Sequence, residues 1–200
     1  MAPRVKTCAR EVRRRQTRQR ILDAAITEFT RSGMADADVS AIVATAGVAH
    51  GTFYFHFPSK EHVLLELEHR EESRLATQLA RFLDTAGDLT APLTEVIRLL
   101  KGLEQQLGGI LFKELLALHF SPSRPQTDDW TDHPVIVLLV RHIERVRSDG
   151  EVHPEVDAFY SAVFFLLGVY GVLTTTHDPQ ARDTMLDELV ASAVRGLEVR

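Results

Sequence analysis

Two hundred residues suit one domain, or a small one followed by a larger one, and 44% hydrophobic content is ample for a packed core. A net charge of −5 argues against a uniformly basic nucleic-acid binder, and no apolar run approaches bilayer-spanning length, so a cytoplasmic chain without membrane partners is expected. The charge is uneven, however: residues 1–60 hold ten Lys/Arg and five Asp/Glu and residues 61–200 hold 13 and 23, so a basic head sits on an acidic body and attraction for DNA is concentrated at one end.

The first twelve residues are basic, lack an apolar h-region and read as a flexible arm rather than a secretory signal; a merely solvated tail is the plainer alternative. Cys8, the single cysteine, has no internal disulfide partner. The spacing then predicts nine helices, with weak strand signals throughout. The first runs from about Arg14 to Arg31, with Ile21, Leu22, Ala25, Ile26 and Phe29 as its buried stripe and Gly33 ending it. Asp38 suits the N-cap of a second, backed by Val39, Ile42, Val43 and Ala46 and stopped by Gly47. A third runs from about His50 to Phe57, ended by Pro58-Ser59.

A long fourth helix follows to about Leu83, then a fifth from Thr90 to Leu107 and a sixth from Ile110 to His119. Residues 121–129, with two prolines, read as a loop. The seventh spans about Asp132 to Ser148, the eighth Pro154 to Thr176 and the ninth Pro179 to Leu197. The eighth is apolar on nearly every side, and a helix of that kind must be buried all round. Either it is a central core helix, or it joins the ninth in a four-helix interface between two chains. In the second case Phe164, Leu167, Gly168 and Gly171, with Leu186, Leu189, Val190, Ala193 and Leu197, form the contact.

Helix, glycine turn, helix over residues 38–57 is the geometry that lays a helix in the DNA major groove. Periodicity turns Val48, Phe53 and Phe57 inward and leaves His50, Gly51, Thr52, Tyr54, Phe55 and His56 outward. That outer face has no Arg, Lys, Asn or Gln, so the strong bidentate contacts to guanine or adenine are absent. His50, Gly51 and Phe55 are placed for base edges, with Ser40 and Thr45 of the second helix in reach. Thr52, Tyr54, His56 and Lys60 suit phosphate. Sequence preference then comes partly from shape, with Arg10, Arg13, Arg14 and Arg15 entering a narrow minor groove. Plain surface histidines are the alternative for His50 and His56.

Residues 18–33 (RQRILDAAITEFTRSG) and 39–64 (VSAIVATAGVAHGTFYFHFPSKEHVL) resemble the DNA-binding domain of the TetR family of transcriptional regulators. Ile21, Leu22, Ala24, Ala25 and Phe29 fit its first helix; Ala46-Gly47-Val48, Gly51-Thr52-Phe53-Tyr54, His56-Phe57 and Ser59-Lys60-Glu61 fit its signature in register. The chain departs where Ala37-Asp38 and Ile42-Val43 replace a threonine and an Ile-Ala pair. The resemblance implies an all-α chain: a flexible basic arm (1–12), a three-helix helix-turn-helix domain (13–60) and a larger helical domain (61–200) for effector binding and dimerisation. It implies a homodimer on a palindromic operator of double-stranded DNA, with recognition helices about one DNA turn apart. A small-molecule effector would shift the population toward a state of different spacing.

By helical position Phe82, Leu103, Leu107, Phe112, Leu115, His119, Phe120, Trp130, Leu139 and His142 are placed to line an effector cavity, with core packing as the alternative; an apolar effector is favoured. A ligand-released repressor in the bacterial cytoplasm, associated with the nucleoid, is the expectation, and an activator of the same fold is not distinguished by sequence. A metal-dependent enzyme is the rival that nine histidines invite, but no HExxH, zinc spacing, Gly-rich phosphate loop or GxSxG occurs. No catalysis, metal or cofactor is expected.

Overall fold

A computed structural model describes residues 4–119 and 133–199, with the backbone alone for residues 4–8 and His119. The described residues form nine helices in the expected order: α1 (Arg4–Asp36), α2 (Val39–Ala46), α3 (His50–His56), α4 (Lys60–Leu83), α5 (Thr90–Leu107), α6 (Gly109–His119), α7 (Pro134–Ser148), α8 (Ala158–Thr175) and α9 (Pro179–Leu197). The fold is all-α; the one extended pairing among these residues is an isolated bridge between Val152 and Glu198.

Two helix starts differ from the sequence reading. Residues 4–12, expected as a flexible arm, continue α1, so the helix begins ten residues before Arg14. α8 starts at Ala158 rather than Pro154, because Asp157 caps it by accepting from the Tyr160 N–H at 3.0 Å. The residues before that cap pair with the chain end instead: the His153 N–H donates to the Leu197 carbonyl and the Val199 N–H to that of Glu151.

The chain divides into two compact units. The first gathers α1, α2, α3, the start of α4 through His69, and α6. Its fully buried side chains include Ile21, Phe29, Ile42, Phe53, Phe57, Leu64, Leu111 and Phe112. Each contributes roughly 1.5–3 kcal/mol by leaving water. α1 packs on both α2 and α6. The latter contact was not legible in the sequence, and it includes a specific link: both carboxylate oxygens of Glu114 accept from the Met34 N–H, at 2.9 and 2.7 Å. Regular α1 geometry ends at Gly33, whose φ of 78° and ψ of 161° lie outside the range of L side chains.

The second unit gathers the rest of α4 with α5, α7, α8 and α9, and α8 packs on α7 and α9. α8 buries Ala162, Phe165, Leu166, Val169 and Leu173 while Tyr160, Phe164 and Leu167 stay exposed (57%, 65% and 38%). Of the two alternatives read from the sequence, this removes the central core helix: one chain covers one side of α8 and leaves the other open. At 18 residues α8 is also long and apolar enough, by length and composition alone, to cross a membrane, contrary to the reading that no run came near. Its inner stripe is nevertheless a packed core surface.

Candidate nucleic-acid interface

α2 and α3 are joined as their residues dictate. Asp38 accepts from the Ser40 N–H at 2.8 Å and caps α2. Gly47 takes the left-handed conformation (φ 63°, ψ 44°). Its N–H donates to the Ala44 carbonyl at 3.2 Å and that of Val48 to Val43 at 3.0 Å, which satisfies two of the carbonyls α2 leaves open. α3 begins at Ala49 without a side-chain cap and ends at Phe57, whose N–H donates to Phe53 at 2.8 Å.

The outward face of α3 carries His50, Gly51, Tyr54 and Phe55, the last 69% exposed. A Cβ at Gly51 would meet nothing within 4 Å, so this backbone is open to close approach. His50 and Tyr54 rings lie 5.5 Å apart, one helical turn from each other. Thr52 is half-buried, and Ser40 and Thr45 are exposed on α2.

Two expected phosphate contacts are placed elsewhere. His56, expected outward, is buried at 8%. On so short a helix the inner arc takes i, i+3 and i+4, so His56 joins Phe53 and Phe57. Burial first, then the charges of Arg18 and Arg14, hold its ring below the usual histidine range and keep it neutral. Lys60 donates from Nζ to the carbonyls of Ala35 and Ala37 at 2.8 and 3.3 Å, tying α4 to the α1–α2 junction.

Arg10, Arg13, Arg14 and Arg15 are exposed on α1. Arg14 lies 5.5 Å over the Phe55 ring, which sets a cation beside the outward face of α3. Sequence reasoning missed Arg18, half-buried at the same junction. It donates to the His56 carbonyl and to Glu66, and lies 4.0 Å over Phe57. Nothing in the one-dimensional pattern pairs residue 18 with residues 56 and 66; only the packing of α1 on α3 and α4 does.

The residues expected around an effector divide between the two units. Leu107, Phe112 and Leu115 are buried in the first unit, Leu103, Leu139 and His142 in the second, and Phe82 is half-buried. Phe120, Trp130 and the His119 side chain lie outside the described residues. His142 has a structural job: its Nε2 lies 2.7 Å from the Asp88 carbonyl and its Nδ1 2.8 Å from Nη2 of Arg145. Arg145 can only donate, so Nδ1 accepts and Nε2–H donates. Arg145 also holds the carbonyls of Leu83 and Ala86 at the end of α4. Burial, the largest effect, keeps His142 below its ordinary pKa.

Two open clefts in the second unit involve none of those ten residues. One, of about 430 Å³, runs beside Arg98, Lys101 and Asp183. The other, of about 260 Å³, is edged by Phe164, Leu189, Ala193 and Leu197, four of the residues expected at a dimer contact. Of the rest, Leu186 and Val190, like Leu197, are buried within the chain itself, because α9 spends its apolar stripe covering its own unit. Gly168 is likewise closed from inside: a Cβ there would come within 2.9 Å of Leu189 Cδ1. Gly171 is exposed, with nothing within 4 Å of a Cβ. Among the described residues no group of three His, Cys, Asp or Glu is arranged to hold a metal ion.

The profile of bacterial regulatory proteins of the tetR family matches residues 21–67, from α1 into α4. SrpR, an HTH-type transcriptional regulator of Pseudomonas putida, is 47% identical over 49 residues, 24% of this chain and 23% of that protein. The first relatives are matched over 23% to 37% of their own length. KstR, an HTH-type transcriptional repressor of Mycolicibacterium smegmatis, is 30% identical over 148 residues, 74% of this chain and 70% of that protein. The structure of the Bacillus subtilis regulator FadR in complex with stearoyl-CoA superposes with a TM-score of 0.60 at 20% identity, over 88% of this chain and 95% of that one. With the helix-turn-helix at residues 39–56, the nine-helix order and a relative matched over most of both lengths, the chain belongs to the TetR family of bacterial regulatory proteins.

Proposed function

We propose that the chain is a transcriptional repressor that binds a palindromic operator as a homodimer and is released by a small apolar effector. The observation that supports this best is the outward face of α3, where His50, Gly51, Tyr54 and Phe55 stand exposed on a helix delivered by a capped turn. Two exposed aromatics on seven residues are costly unless a partner covers them. The exposed arginines of α1 supply the charge that attracts duplex DNA. His50, Gly51 and Phe55 meet bases, with Ser40 and Thr45 beside them; Tyr54 and Thr52 meet phosphate; Arg10, Arg13, Arg14 and Arg15 add cations along the backbone.

In this reading residues 13–60 are the DNA-binding domain and residues 61–200 hold the effector and the partner chain. The Tyr160–Phe164–Leu167 stripe of α8 meets the same stripe of a second copy, an isologous contact. The protein works in the cytoplasm, without catalysis and without a cofactor. KstR is named a repressor and FadR was solved with stearoyl-CoA, which is in keeping with a ligand-released repressor here.

Selection of bound sites from random duplex DNA, with purified protein, tests the proposal. The expected product is a palindrome whose half-sites lie about one helical turn apart, and whose recovery drops with the right effector. A pool that shows no enrichment at low ionic strength would overturn it.

A further inference from the structure

A seven-residue helix has no stability of its own in water, so α3 depends on what packs against it. Its N-cap Ala49 supplies no side-chain oxygen. Its inner side rests on Phe53, His56 and Phe57. At its C-terminal end, where carbonyls lack partners within the helix, Arg18 reaches across from α1 and donates from Nη1 to the His56 carbonyl. The other arm of the same guanidinium donates to Glu66 Oε2 on α4 at 2.8 Å. The guanidinium carbon lies over the Phe57 ring, 4.0 Å from its centre.

We propose that Arg18 is the positioning residue of the recognition helix: it sets the angle and depth at which α3 offers His50, Gly51 and Tyr54, and does not itself touch DNA. The inference rests on the reading of α3 as the helix that enters the groove. Three properties of guanidinium are used at once: a fork that serves two acceptors, a plane that stacks on an aromatic, and a charge placed against the negative end of a helix dipole. A lysine ammonium supplies only the last. Arg14, one turn earlier, contrasts with it. Its side chain stays exposed over Phe55 at the outer face, whereas the Arg18 fork is spent on protein acceptors.

The test uses the full-length protein as Arg18→Met, Arg18→Lys and Glu66→Gln. Two readings are taken: amide exchange over residues 49–58 without DNA, and affinity for a duplex selected by the unaltered chain, across a salt series. Arg18→Met should speed exchange over α3 about tenfold while leaving α7 unchanged, and weaken binding about tenfold. The slope of log affinity against log salt should stay as it was, because no phosphate contact is lost. Arg18→Lys should recover little, and Glu66→Gln should fall between. A slope shallower by about one would make Arg18 a direct phosphate contact and overturn the inference; so would exchange and affinity that do not change, or full recovery by lysine. If Arg18→Met fails to fold, Glu66→Gln, which keeps the side-chain shape, carries the test. If the unaltered chain binds no duplex, the DNA-binding reading fails, and the exchange measurement separately decides whether Arg18 holds α3.

Discussion

Replacing Gly33 by alanine should destabilise the first unit by more than any single surface change. The backbone there has φ 78° and ψ 161°, a region closed to residues with a Cβ, and holding alanine in it costs about 1–3 kcal/mol. The new methyl carbon would also stand 2.8 Å from Glu114 Oε1, inside any real contact distance. Relieving that overlap pushes the carboxylate off the Met34 N–H, to which both its oxygens are bonded, and a hydrogen bond to a charged group contributes about 1.5–3 kcal/mol. Together these give a loss of about 2.5–6 kcal/mol, which for a chain of this size lowers the melting temperature by roughly 5–20 °C. Thermal melting followed by far-UV circular dichroism measures it. Glu114→Ala should cost less, since it removes the bonds and leaves glycine free. Combining it with Gly33→Ala should cost less than the sum of the two, because the overlap is gone. A Gly33→Ala protein melting within a degree or two of the unaltered chain would refute the reasoning.

Other changes test the surfaces. His50→Ala and Tyr54→Ala should each weaken operator binding roughly tenfold with unchanged melting, since both side chains are exposed; titration of a labelled duplex by fluorescence anisotropy checks this, and unchanged affinity in both would remove α3 from the groove. Phe164→Lys should give a monomer by sedimentation velocity, because a side chain 65% exposed in one chain is expected to lose about 1.5–3 kcal/mol of burial on each side of a symmetric contact; a variant that still dimerises would move the interface off α8. Acid should act through the two buried histidines. His56 and His142 both titrate below 6.5 in the folded chain, so between those lowered values and 6.5 the unfolded chain binds more protons. Their contribution is complete above 6.5 and is lost as pH falls through that window. Urea unfolding at pH 7.5 and pH 5.5 should show the loss, and His142→Gln, which retains a donor for the Asp88 carbonyl, should show less of it; an equal loss in that variant would clear His142.

The helices, their order and the glycine turn between α2 and α3 were legible because they rest on local chemistry. Asp38, Gly47 and Pro58 act on the backbone within four residues of themselves, and the spacing of Ile21, Leu22, Ala25 and Phe29 defines a buried stripe whatever it packs against. The start of α1 was less legible, since a run of arginines satisfies a helix and a solvated arm equally well.

What tertiary structure alone decided is which partner each face meets. His56 turns inward because α3 is too short to have a separate polar side at that position, and Lys60, half-buried, donates to carbonyls of the α1–α2 junction. Leu186, Val190 and Leu197 face their own unit while Phe164 does not, although all four look alike in an apolar stripe. Arg18 with Glu66, and Glu114 with Met34, pair across 48 and 80 positions of sequence. Periodicity reports the angle of a residue on its own helix; the neighbour at that angle is set by how the helices pack, and packing joins residues that no local rule relates.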